Sequence, residues 1–271
     1  MLSALAADRA RVAELDAKIS LLERQRAQVQ ARLDSYRYPV LTLPNEIITE
    51  IFVHFLPPYP HCISFHKLYG LIVLTQICHL WREIALRTPA LWRAIGFYPL
   101  ADHPALFDAW LGRARGFPIS LIFDTDWIED NRAAGSLKAI VPYLAQLEYF
   151  EVHWGSLSQL QAIEGPMPML RHFELLLQEE DDPPTPVSFL EAPLLRRVLL
   201  NGAAVGNVIL PWAQLTSLAL DGVFLSECAS ILQQTFNLVH CELIFVGGDL
   251  DDEDAPDVTP VLTITGIDSL Q

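Results

Sequence analysis

The sequence predicts an α+β chain: a long N-terminal helix, a small all-helical module, and an irregular solenoid of repeats on a parallel sheet. Three observations carry this prediction. Residues 1–37 contain neither Pro nor Gly. Two short apolar segments, "LPNEIITEIFVHFLPP" (43–58) and "LIVLTQICHLWREIALR" (71–87), each run into proline. From Leu147 onward one six-residue phrase returns five times.

The first element is a helix by composition, rich in Ala, Arg, Leu and Gln. Val12, Leu15, Ile19, Leu22, Arg26, Val29, Leu33 and Tyr36 follow the 3-4 spacing of a heptad seam, with Arg26 as its one charged member. Such a seam pairs with another chain in a coiled coil or folds back on its own domain. Residues 8–37 carry a net charge of +2 against −15 for the whole chain, so the remainder carries −17. That balance excludes a nucleic-acid partner, whose phosphates require a basic footprint. With 51% hydrophobic and 19% charged residues the chain has ample material for a core. No apolar run is long enough to span a membrane, and the N-terminus lacks the basic start of a signal peptide. Four cysteines without CxxC spacing imply reduced thiols, hence a cytoplasmic or nuclear protein.

Pro39 ends the long helix, and Pro44 is placed at the first position of the next one, where its missing N–H costs nothing. That helix is expected to run to Leu56 and stop at Pro57-Pro58, followed by a loop over 57–70 and a second helix over about 71–87. Both helices carry apolar residues on more than one side. A module of this size cannot cover two stripes per helix by itself, so one stripe must face another domain or another protein. "ALWRAIGF" reads as a turn into a strand, and "PISLIF" as a further strand.

The recurring phrases are "LEYFEV" from Leu147, "LRHFEL" from Leu170, "LRRVLL" from Leu195, "LTSLAL" from Leu215 and "LVHCEL" from Leu238, at spacings of 23, 25, 20 and 23 residues. They fit a leucine-rich repeat, each phrase a short strand stacked in parallel on the last. The Asn or Cys such a repeat carries eight residues after its first Leu is missing: Gly155, Gln178, Ala203, Val223 and Val246 stand there. Irregular curvature is expected. Because side chains alternate across a strand, three columns face away from the core. They are Tyr149, His172, Arg197, Ser217 and His240; Glu151, Glu174, Leu199, Ala219 and Glu242; and His153, Leu176, Asn201, Asp221 and Ile244. The expected substrate-binding residues are the polar members: Tyr149, Glu151, His153, His172, Glu174, Arg197, Asn201, Asp221, His240 and Glu242. A mixed Tyr, Arg and His surface suits protein recognition, and Glu151, Glu174 and Glu242 favour a basic segment.

The helical module resembles an F-box. It carries Leu43-Pro44-Asn45-Glu46, then Ile51-Phe52, then Cys78-His79-Leu80-Trp81-Arg82, then Leu91-Trp92, in the family's order and spacing. The stretch "LTQICHLWREIALRTPALW" is particularly similar to the expanded F-box families of mushroom-forming fungi, which often carry an N-terminal coiled helix and a degenerate leucine-rich tail. The resemblance divides the chain into a coiled-coil-like helix at 1–37, an F-box at 41–97 and a degenerate, shortened repeat array at 98–271. It implies docking on the Skp-family adaptor of a cullin–RING ubiquitin ligase, through Leu43, Pro44, Ile47, Ile51 and Trp81 with Leu91 and Trp92 supporting. The repeats would then hold a protein substrate. A scaffold that assembles through residues 1–37 with a vestigial F-box is the alternative.

No catalytic, cofactor or metal constellation is legible. His61, Cys62, His66, Cys78 and His79 have no closed four-ligand spacing. "GGDLDDEDAPD" (247–257) lacks the ligand order of a calcium loop. "NGAAVG" lacks the Lys of a phosphate cradle. The chain is therefore read as a non-enzyme.

Overall fold

A computed structural model describes residues 2–36, 39–62, 65–97, 104–124, 137–156, 160–161, 163, 165–178, 185–246 and 261–265. The acidic stretch 247–257 and the side chain of His66 lie outside what is described. The chain divides into two compact units, Met1–Ile48 and Thr49–Gln271.

The first unit is built on α1, Leu2–Ser35, followed by a 3-10 turn over Pro39–Thr42. Exposed i,i+3 and i,i+4 pairs, Arg11–Glu14 at 2.6 Å and Lys18–Glu14 at 2.9 Å, brace α1. Its heptad residues Val12, Leu15, Ile19, Leu22, Val29 and Leu33 are all exposed. The unit ends within α2, Asn45–Phe55. The Pro44 carbonyl accepts from the Ile47 and Ile48 amides, so Pro44 sits just outside the helix rather than at its first position.

In the second unit, α3 spans Phe65–Ile77 and α4 spans His79–Arg87. One helix was expected over 71–87. Cys78 breaks it: its backbone is extended and its Sγ accepts from the Trp81 amide at 3.5 Å, capping α4. The loop expected over 57–70 is correspondingly shorter, because α3 already starts at Phe65. Gly70 lies in α3 where a Cβ would fall 2.7 Å from the Phe55 ring, so glycine lets α2 and α3 approach.

The sheet then forms from β1 (Ala94–Phe97), β2 (Ile119–Asp124), β3 (Leu147–Gly155), β4 (His172–Leu177), β6 (Arg197–Asn201), β8 (Ser217–Val223), β9 (His240–Phe245) and β10 (Val261–Thr265). They lie in the order β1-β2-β3-β4-β6-β8-β9-β10. Every pair through β9 is parallel, and β10 runs antiparallel to β9. Helix α5 (Pro104–Arg113) falls between β1 and β2 in the chain, and a separate two-stranded sheet pairs β5 (Val187–Ser188) with β7 (Val208–Ile209).

The recurring phrase explains this sheet. Its opening leucines, Leu147, Leu170, Leu195, Leu215 and Leu238, are buried, as are the alternating pairs Phe150/Val152, Phe173/Leu175, Val198/Leu200, Leu218/Leu220 and Cys241/Leu243. Phe150 stacks on Phe173 at 5.9 Å between ring centroids. The residue after each opening leucine continues the ladder: the amides of Arg171, Arg196, Thr216 and Val239 donate to the carbonyls of Glu148, Arg171, Arg196 and Thr216. Burial on one face and hydrogen bonds along every strand fix the register.

After β6 the chain enters a single turn, α6 (Gly202–Val205). A Cβ on Gly202 would lie 2.2 Å from the Gly222 carbonyl oxygen. Gly222 itself has φ +63° at a bulge in β8, so two glycines meet where neither tolerates a side chain. The last connection uses α7 (Leu225–Leu232), whose Glu227 carboxylate accepts from the Phe224 amide at 2.9 Å and caps its N-terminus.

Candidate functional site

Helix α2 buries one side and exposes the other. Ile48 and Phe52 are fully buried, while Ile47 and Ile51, one turn apart, are each 47% exposed. Leu43 and Pro44 are exposed before the helix, and Phe55 is 58% exposed at its end. Val73 and Ile77 on α3 are also exposed, large and apolar. These last three are not among the expected docking residues, although each lies in an apolar run whose second stripe had no internal partner. Trp81 is half-buried with its ring edge against Phe52 at 5.0 Å, and among the described residues its indole N–H finds no acceptor.

Leu91 and Trp92 sit lower, at 1% and 2% exposure. The Trp92 indole donates to the Ala85 carbonyl at 2.8 Å, its ring meets Trp110 edge-on at 4.7 Å, and the Arg113 guanidinium lies 4.5 Å above it. Both are core residues and support the module from within.

The polar face of the sheet follows the columns read from the sequence. Tyr149 pairs with His172, His172 with Arg197, Arg197 with Ser217, and Ser217 with His240. Glu151, Glu174, Leu199, Ala219 and Glu242 align likewise. In the third column His153 pairs with Leu176, Asn201 with Asp221, and Asp221 with Ile244. Glu242 is three strands from Glu174 and does not join the other two carboxylates.

Over β3 and β4 the face is a compact quartet. His153 Nε2 lies 3.0 Å from Glu174 Oε1 and 3.9 Å from Glu151 Oε2. His172 Nε2 lies 3.9 Å from both carboxylates. Hydrogen bonding to His153 first, and to His172 second, holds the Glu174 carboxyl down to about 2, and the same contact with Glu174 raises His153. Burial and then the neighbouring Glu174 charge push the Glu151 carboxyl up.

The connection after α2 lies over the first strands. The Tyr59 hydroxyl donates to Glu148 Oε2 at 2.8 Å, and the ring meets Tyr149 edge-on at 5.7 Å. The Arg93 guanidinium stacks 3.5 Å over the Tyr59 ring. Glu148 also pairs with Arg171 at 3.2 Å and Arg93 at 3.8 Å. Cys62 Sγ donates to the Ser120 carbonyl at 3.4 Å, and burial pushes its thiol up to about 11. The loop expected between the two helices is a clamp, and it takes Tyr149 as a packing partner. The thiols weighed for zinc are occupied separately, Cys62 on Ser120 and Cys78 at a helix cap.

Asn201 also differs from its expected role on the substrate face. Its amide donates to the Leu177 carbonyl at 2.8 Å, and its Oδ1 accepts from the Leu177 amide at 3.0 Å. The β4–β6 backbone pairing runs only to Leu175–Leu200, so the side chain stands in for the missing strand bonds. Asn201→Ala leaves both Leu177 groups unpaired and is expected to cost about 2–3 kcal/mol, read as a lower urea midpoint. Asn201→Asp, which keeps only an acceptor, should fall between; equal stability of all three would remove this role.

Arg197 and Asp221 are exposed, while Ser217, His240 and Glu242 are half-buried. These lie on β6, β8 and β9, beyond the quartet and the Tyr59 clamp.

Residues 40–98 match the F-box-like family. No curated protein matches the chain. Among the described residues no helix is long and apolar enough to cross a membrane.

Proposed function

We propose that this chain is a non-catalytic, substrate-recruiting adaptor of a Skp–cullin–F-box ubiquitin ligase. The observation that carries the reading is the exposed Ile47–Ile51 stripe on a helix whose other side is buried, inside the F-box-like stretch. Contiguous exposed apolar surface on such a helix suits a groove on a partner. Leu43, Pro44, Ile47, Ile51 and Trp81 are the contact residues, and Leu91 and Trp92 hold the module in shape. The test is co-expression with a Skp-family adaptor followed by gel filtration and calorimetry. A stoichiometric complex is expected; two separate peaks and no heat of binding would sink the reading.

The parallel sheet acts as a degenerate leucine-rich array, of the kind common in fungal F-box families, presenting a protein substrate to the ligase in the cytoplasm or nucleus. Its open part is β6, β8 and β9, where Arg197, Asp221, His240 and Glu242 offer mixed charge. Glu151, Glu174 and His153 mark the end nearer the clamp, where the net acidity of the metal-free chain favours a basic segment.

Self-association through α1 is the second reading, favoured by its exposed heptad seam. With Val12 and Ile19 as first core positions, a parallel pair sets Arg11 against Asp16 of a second copy and Lys18 against Glu23, with one opposing pair at Arg32 against Arg37. Light scattering should therefore give twice the 30.4 kDa chain mass for wild type and the single mass for Ile19→Asp with Leu22→Asp. A monomeric wild type returns α1 to packing on its own chain.

A further inference from the structure

Glu151 and Glu174 stand directly opposite each other on β3 and β4, both half-buried on the same face. Like charges in that position repel and destabilise a sheet unless something lies between them. His172, on β4 two residues before Glu174, places Nε2 3.9 Å from Oε1 of Glu151 and 3.9 Å from Oε2 of Glu174. The three donor atoms lie within 4.8 Å of one another.

We propose that Glu151, His172 and Glu174 bind a zinc ion on the polar face of the sheet. Tetrahedral zinc with bonds of about 2.0–2.2 Å spaces its ligands roughly 3.4 Å apart, and small side-chain rotations bring these donors to that spacing. The donor set selects the metal class. An imidazole with two carboxylates suits zinc and its neighbours, whereas calcium requires six to eight oxygens and magnesium keeps its waters. His153 completes the arrangement from outside: its Nε2 hydrogen bonds Glu174 Oε1 at 3.0 Å and fixes the carboxylate's orientation, as outer partners of metal ligands do. Three protein ligands leave a coordination position for water or for a donor atom of a bound protein. The ligands come from two separate repeat phrases, 21 to 23 residues apart, so no short spacing motif announces them.

The experiment uses the whole chain, stripped of metal and titrated with zinc against a chromophoric chelator. One zinc per chain is expected. Cobalt(II) in its place should give visible absorption of a nitrogen–oxygen site with no thiolate charge-transfer band, which separates this site from the cysteines. Glu151→Gln and His172→Gln, nearly isosteric and each checked for folding by metal-free thermal unfolding, should lose saturable binding. His153→Gln should weaken it about 10–100-fold, the usual effect of removing an outer partner. A wild-type chain that retains no zinc overturns the proposal, and so does zinc retained equally by Glu151→Gln and His172→Gln. No partner is involved in these measurements, so their failure leaves the adaptor reading untouched.

Discussion

Replacing Ile47 and Ile51 together with glutamate should abolish docking on a Skp-family adaptor while leaving the fold in place. Both side chains are about half exposed, so their removal opens no cavity, and their neighbours one residue on, Ile48 and Phe52, keep the buried side of α2 intact. Central apolar anchors of an interface each contribute on the order of 2 kcal/mol or more. Losing two, and burying two carboxylates in their stead, should cost at least about 4 kcal/mol, on the order of a thousandfold in affinity. Calorimetry with the purified adaptor reads this directly, and the thermal unfolding curve of the free variant serves as the control. Undiminished affinity in a folded variant would remove the α2 surface from the interface.

Trp92→Ala is expected to produce the largest loss of stability. The side chain is buried, packs edge-on against Trp110 and donates to the Ala85 carbonyl. Truncation leaves a cavity and takes away one of two donors to the Ala85 carbonyl, which keeps the Thr88 amide, together costing about 3–5 kcal/mol. That is a large part of the roughly 5–15 kcal/mol that holds a domain folded. Trp92→Phe separates the roles: it keeps most of the packing and loses the hydrogen bond, so a smaller loss of about 1–2 kcal/mol is expected. Its adaptor affinity per folded molecule should match wild type if Trp92 supports the module from within. A folded Trp92→Phe chain with sharply weakened docking would instead make Trp92 a contact residue.

The parts of the fold that were legible in the sequence share one property: a period that burial enforces. The opening leucines and alternating apolar residues of the five phrases fixed which strands are neighbours and which residues face each other, down to the pairing of Tyr149 with His172 and of Asn201 with Asp221. The two-sided apolar pattern of α2 likewise announced an exposed stripe. What escaped were single side chains doing backbone work. Cys78 looked like one more apolar residue on a helix face, and nothing in its spacing shows that its sulfur caps α4. Asn201 looked like a solvent-facing polar residue, because the end of the β4–β6 pairing is set by the turn into α6 rather than by a pattern. The quartet escaped for a different reason: the columns place Glu151 beside Glu174, but His153 and His172 reach them diagonally from other columns, through side-chain directions that a strand period does not fix. Tyr59 sits 89 residues from Glu148, a long-range contact that no local period predicts.

The clamp makes the protein a poor source of interchangeable parts. The F-box-like stretch ends at residue 98, yet its last four-residue strand, β1, is already the edge of the sheet and pairs with β2. A graft that transplants residues 40–98 onto another protein carries off that strand and bares the β2 edge, with its row of unpaired backbone groups, to any other chain. It also strips Glu148 of Tyr59 and Arg93, and Ser120 of Cys62. What travels as a cassette is therefore the continuous run from α2 through the sheet.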